Sequence, residues 1–177
     1  MTASFRIDSE GGQELERKLG RVVRAFEGLE PLMAGIGVYL EGSAQQRFQD
    51  QKGPDGRRWK PSQRALRDGG KTLIQSHLLE QSITSAATGR RVEVGTNRVY
   101  AGVHQFGFSG TVTVGAHTRT RRSSTLPGGL TYAVQSFERQ MNMPARPFLG
   151  VSSEDETEIG LLIDEFLMDA FGATAPD

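Results

Sequence analysis

Five apolar residues at every fourth position, Leu32, Ile36, Leu40, Ala44 and Phe48, constrain this chain more than any other feature. Side chains at that spacing share one face of an α-helix. The stretch from Pro31 to Gln49 therefore predicts a helix of about five turns that has to bury one side. Pro31 falls in its first turn, where the missing N–H costs no hydrogen bond. The turn signal Gly53-Pro54-Asp55-Gly56 stops it. Gly35 and Gly37 each cost about 1 kcal/mol relative to Ala in a helix, and they are expected to mark close packing against another backbone. Before this helix, Leu15, Leu19, Val22, Val23 and Phe26 recur at steps of three and four and predict another over Gln13 to Phe26.

Beyond the turn, the pattern shortens. Trp59, the only Trp of the chain, sits between basic residues and reads as a loop anchor with its ring packed on the domain. A short helix is expected over Ser62 to Arg67, and Leu73, Ile74, Leu78, Leu79 and Ile83 predict a further helix from Thr72 to Ile83. Thr88-Gly89 flanked by alternating residues predicts a hairpin of Ile83–Ala87 with Arg90–Gly95. Tyr100 to Gly107 suits one helical turn under a sheet. Thr111–Val114 alternates and is expected to pair with Leu130–Gln135 across a flexible polar loop, residues 115–129. Two prolines make Met143 to Gly150 extended. A last helix starts at Ser153 with Glu156 as its capping-box partner, and Ile159, Leu162, Ile163, Phe166, Leu167 and Ala170 form its stripe. Residues 172–177 are expected to fray. The fold expected is α+β: a small, mainly antiparallel sheet packed against the two N-terminal helices and the C-terminal helix, in a single domain of residues 1–177.

Lys+Arg and Asp+Glu both number 21, so the formal net charge is zero, but the charges are segregated. Residues 41–71 are rich in Lys and Arg, and Arg119, Arg121 and Arg122 add a second basic cluster. From Glu154 to Asp177 there are eight acids and neither Lys nor Arg. Complementary patches on one chain suit head-to-tail subunit contacts. There is no Cys, which removes disulfides, thiolate metal sites and a cysteine nucleophile. No stretch approaches the roughly 18 apolar residues of a membrane span or the apolar core of a secretory signal; a soluble protein of the cytoplasm in which it is made is expected. His77, His104 and His117 fall in no metal-ligand spacing, no G-x-S-x-G elbow is present, and the glycines form neither a phosphate loop nor a dinucleotide fingerprint. No cofactor, metal or enzymatic activity is expected. Arg57, Arg58, Arg121 and Arg122 with Trp59 leave a nucleic-acid-binding module open, although a dedicated binder is usually more basic.

The order of several segments carries a resemblance. Phe48, Pro54-Asp-Gly-Arg-Arg-Trp59-Lys-Pro61, Lys71 to Ile74, Leu78 to Ile83, Val92 to Thr96, Tyr100-Ala101, His104-Gln105-Phe106-Gly107 and Pro144-Ala-Arg146-Pro-Phe148-Leu149-Gly150 precede an acidic helix. In that order the chain, from about Val38 to Leu167, resembles the phage virion morphogenesis family, which includes Mu-type G proteins and tail completion proteins. It departs from the pattern at Ser76-His77, where the family often has Thr-Gly. The resemblance implies a non-enzymatic structural protein of the virion, made in the host bacterial cytoplasm. It would complete the tail or form part of the neck ring that joins tail to DNA-filled head. It implies a homo-oligomeric ring, with sixfold symmetry as one option, next to tail tube or terminator proteins and head–tail connector proteins, with passing contact to genomic DNA and none to membrane. An assembly factor or chaperone absent from the finished particle is the alternative. Tyr100, Phe106, Arg146, Phe148 and Leu149 are expected to hold the core and the subunit seam, with His104 and Gln105 in the same motif. Trp59 within residues 52–60, and the Arg119, Arg121 and Arg122 cluster, are expected to reach neighbouring proteins.

Overall fold

Helices α1 (Gly12–Glu27) and α2 (Glu30–Asp50) form where the apolar spacing places them. The computed structural model describes residues 12–121 and 129–171; Arg122, most of the expected 115–129 loop's second half and the expected fraying at 172–177 lie outside them. Along α2, Ile36, Ala44 and Phe48 are buried on one side. Gln51, in the left-handed region at φ 58°, ends the helix. The Gly53–Gly56 turn then closes with the Gly56 N–H on the Gly53 carbonyl (3.0 Å), and the Trp59 N–H donates to the Gln51 carbonyl (2.9 Å). Ser62 caps α3 (Gln63–Asp68) by accepting from the Ala65 N–H.

The expected helix from Thr72 to Ile83 does not form. Only a 3₁₀ turn, Glu80–Ser82, precedes the first strand. The competing side chains explain this. The Gln51 amide holds both backbone groups of Thr72, accepting from its N–H (2.6 Å) and donating to its carbonyl (2.9 Å). Arg64 takes the Lys71 and Ile74 carbonyls that a helix would have used. Leu73 and His77 adopt φ of 64° and 58°, and His77 stands where the resemblance places a glycine, the residue that adopts this region freely.

The hairpin of β1 (Ile83–Thr88) and β2 (Arg91–Thr96) is antiparallel, with the turn at Gly89-Arg90, one residue from its expected place. It packs against α2. A Cβ on Gly37 would come within 2.9 Å of Val92 Cγ2 and 3.1 Å of Ser85 Cβ, whereas a Cβ on Gly35 would meet nothing within 4 Å among the described residues. The close approach expected for both glycines is therefore confined to Gly37, and it is to side chains of the hairpin. Gly37→Ala should lower stability by about 1–3 kcal/mol through overpacking against a stiff Val. Gly35→Ala should raise it by up to about 1 kcal/mol through helix propensity. Urea unfolding of the two variants tests this, and equal shifts would contradict it.

Beyond α4 (Ala101–Phe106), the strands pair differently from expectation. β3 (Phe108–Val114) pairs with β6 (Phe137–Met143), and β4 (His117–Arg121) pairs with β5 (Leu130–Val134). Thr111–Val114 does not meet Leu130–Gln135, and residues 117–121 of the expected loop are strand. The two ladders share one register, with Val114 opposite Phe137 and His117 opposite Val134. They are two segments of a single hairpin, interrupted at residues 115–116 and 135–136. That nested arrangement lets seven residue pairs form between β3 and β6, more than the four-residue strand first expected could make. Helix α5 (Ser153–Phe171) closes the described chain and packs on α1 and α2.

The class is α+β, with the strands distributed over three two-stranded antiparallel ladders. By backbone contacts the chain divides into two units, residues 1–98 with 148–177, and residues 99–147. The first holds the core, with Ile36, Ala44, Phe48, Trp59, Leu79, Ile83 and Phe148 buried. In the second, only Ala101 and Arg146 are buried among the described residues. No helix among the described residues is long and apolar enough to cross a membrane.

Candidate functional site

Three of the sequence motifs meet in the first unit, around Phe48. Its ring is fully buried, edge-on to Trp59 (centroids 5.4 Å, planes at 79°) and tilted against Phe148 (5.3 Å, 51°). Edge-to-face contacts of this kind add about 0.5–1.5 kcal/mol beyond burial. Trp59 is 6% exposed and anchors its loop as expected. Its ring is offered neither to a neighbouring protein, contrary to what was expected within residues 52–60, nor to a base, which removes the stacking contact from the nucleic-acid reading and leaves only its phosphate contacts. Arg57 and Arg58, beside it, are exposed. Leu149 is half-buried and lines a cavity of about 200 Å³ with Leu40, Ala44, Val92 and Val94.

The residues that fasten this unit were not singled out by motif. Arg47 on α2 is 4% exposed and ion-paired with Asp155 on α5, itself 1% exposed. Arg47 Nη1 also donates to the Phe148 carbonyl (2.9 Å) and the Gly150 carbonyl (2.8 Å). Asp155 accepts from Ser43 Oγ on α2 and from the Ser152 N–H (2.7 Å). The Asp155 N–H in turn donates to Ser152 Oγ (3.2 Å). The capping box is therefore Ser152 with Asp155, one position earlier than Ser153 with Glu156. Asp155 is buried, so helix-dipole complementarity alone does not account for the acids of this first turn. Burial by itself raises its carboxyl, but Ser43, the Ser152 donors and Arg47 outweigh that and hold it below the usual carboxylate range. A Ser-x-x-Asp spacing before an apolar stripe was the available signal for Asp155; Arg47 had none.

In the second unit, α4 carries His104 and Gln105 half-buried, whereas Phe106 at its end is 81% exposed. Tyr100, also exposed, lies edge-on to the His104 ring at 6.0 Å. The Arg146 N–H donates to the His104 carbonyl (2.7 Å), so the Pro-Ala-Arg-Pro segment is tied to the Tyr-Ala…His-Gln-Phe-Gly motif. Gly107 makes the tie possible. Its φ is 77°, and a Cβ there would lie 2.9 Å from both the Ala145 nitrogen and the Met143 carbonyl. Burial lowers the pKa of Arg146. Burial, and then the charge of Arg146, lower that of His104, whose Nδ1 has no hydrogen-bond partner among the described residues. Arg119 and Arg121 are exposed on β4.

A depressed histidine pKa has a definite sign. The neutral ring is favoured on folding, so its stabilisation is complete above the unfolded value of about 6.5 and is lost as pH falls toward the folded one. Protonation would set a second cation beside buried Arg146. Titration of His104 by NMR should give a pKa below the ordinary range, and His104→Gln should flatten the stability profile just below about pH 6.5. A His104 that titrates normally would contradict this account.

Among the described residues no group of three or more His, Cys, Asp or Glu is placed to hold a metal. The comparisons with known proteins point the same way as the motifs. The family model described as the phage virion morphogenesis family matches residues 11–168. The "Mu-like prophage FluMu G protein 2" of Haemophilus influenzae is 29% identical over 155 residues, which is 88% of this chain and 90% of that protein. No solved structure matches the chain at a significant level.

Proposed function

Because the chain belongs to the phage virion morphogenesis family, we propose that it is a structural part of the particle that completes the tail or forms part of the neck ring joining the tail to the filled head. The family match over residues 11–168 carries this reading. The second unit supports it. Tyr100, Phe106, Phe108, Leu130, Tyr132 and Phe137 are all exposed there, spread over α4 and along the hairpin, where they are available to neighbouring proteins.

The neighbours in this reading are further copies of the chain in a ring, sixfold among the possible symmetries, with tail tube or terminator proteins on one side and head–tail connector proteins on the other. The genome passes through with only transient contact. The role is structural and not enzymatic, and the protein's place is the neck or tail end of the virion after synthesis in the host cytoplasm. Deleting the gene from the phage that carries it should give filled heads and loose tails in the electron microscope, with infectivity restored by supplying the protein. Its peptides should appear in purified virions by mass spectrometry. Normal infectious particles from the deletion would refute the reading. Failed joining with no peptides in complemented virions would assign the protein to assembly instead of to the particle.

A further inference from the structure

The β4–β5 face and one side of α5 are complementary in two respects. The register of β4 and β5 sets Arg119 opposite Tyr132, Arg121 opposite Leu130 and His117 opposite Val134. Alternate residues share a face, so these six lie together, and Thr118, Thr120, Thr131 and Ala133 take the other side. The first face sets a row of His117, Arg119 and Arg121 on β4 beside a row of Val134, Tyr132 and Leu130 on β5. All of β4 is exposed, as are Leu130 and Tyr132, and no ion pair engages Arg119 or Arg121 among the described residues.

A surface with two cations directly beside apolar groups fits a partner that presents carboxylates and apolar side chains close together. Along α5, Glu154, Glu158, Leu161, Glu165 and Met168 recur at steps of three and four, which places them on one exposed stripe. The helix contains no Lys or Arg, and Asp155 is its only member in an ion pair among the described residues. Arg119 and Arg121 lie roughly 7 Å apart along β4 and Glu158 and Glu165 roughly 10 Å apart along the helix, a difference that the long Arg and Glu side chains span.

We propose that the β4–β5 face of one copy docks on the Glu154–Met168 stripe of α5 in a second copy. This rests on the ring reading and supplies its contact. Like charge opposes both alternatives, face against face and helix against helix, so the contact is between unlike surfaces. Each copy then keeps one of each surface free, and the contact repeats until the rotation closes a ring.

Charge reversal in the full chain tests the docking. Light scattering and sedimentation of the unaltered protein, over a concentration series at low and high salt, should show self-association that weakens with salt. R119E with R121E, and separately E158R with E165R, should each weaken it by roughly tenfold or more. The four substitutions together should restore it. All these positions are exposed, so circular dichroism and thermal unfolding should stay unchanged. Because the chain has no Cys, a protein carrying both Tyr132→Cys and Leu161→Cys should form a disulfide-linked ladder on oxidation, while either alone should not. A monomer at every concentration overturns the proposal. So do reversed variants that associate normally, a fourfold variant no better than its halves, or the absence of a ladder. A reversed chain that still joins heads to tails overturns this docking and leaves the neck role standing; a gene deletion without phenotype removes that role.

Discussion

Asp155→Ala is expected to lower the stability of the unit of residues 1–98 and 148–177 by about 3–5 kcal/mol, the usual cost of stranding a buried charge. The stranded group is the Arg47 guanidinium, which is almost fully buried. Three segments are involved, because Arg47 and Ser43 belong to α2, the two carbonyls lie at Phe148 and Gly150, and Asp155 caps α5. Denaturant unfolding of the variant gives the loss directly. Arg47→Leu with Asp155→Leu should recover part of it, since no buried charge remains. The recovery should be incomplete, because the Phe148 and Gly150 carbonyls lose their donor. The acid dependence has a fixed sign as well. A depressed carboxyl contributes stability that is fully present above its unfolded pKa of about 3.9 and is lost as pH falls through its folded value. Asp155→Ala should remove that part of the acid transition. A loss under about 1 kcal/mol would mean that the pair does not fasten these segments.

Phe48→Ala is expected to cost about 3–5 kcal/mol through lost burial and the cavity that remains. Phe48 touches both Trp59 and Phe148, so the cavity would open beneath the basic loop and beside the Pro-Phe-Leu segment together. Trp59 is the only Trp of the chain, and its fluorescence reports the change without a label. Emission should shift to the red as water reaches the ring, in the native state as well as during unfolding. Phe106→Ala gives the contrast. That side chain is 81% exposed, and its loss should change stability by no more than about 0.5 kcal/mol. A large loss at Phe106 with a small one at Phe48 would invert the assignment of the core.

Local rules made α1, α2, α3, α5 and the first hairpin legible, because each rests on information within a few residues. The four-residue spacing of Ile36, Leu40, Ala44 and Phe48, the Ser62 cap and the Gly53–Gly56 turn act at short range. Two expectations failed for the opposite reason. From Thr72 to Ile83 the helical spacing was present, but Gln51 and Arg64, both outside that segment, took the backbone groups that a helix needs. The pairing of β3 with β6 was hidden because a strand's alternation says which face it shows and not which strand it meets. The ordered motifs gave the family, which the match over residues 11–168 supports.

The candidate surfaces divide in the same way. Sequence alone identified the segregated charge and the aromatic and Arg-Pro motifs, since both are properties of composition along a line. Only the tertiary structure decided that Phe148 and Arg146 are buried whereas Tyr100 and Phe106 are exposed, and that Arg119 and Arg121 share a face with Tyr132 and Leu130. It also decided that Arg47 and Asp155, 108 residues apart, form a buried pair. Hydrophobic periodicity records how a segment meets solvent or a core. A buried charge is tolerated only where the opposite charge and its donors arrive from elsewhere in the chain, and that arrival is a property of the fold.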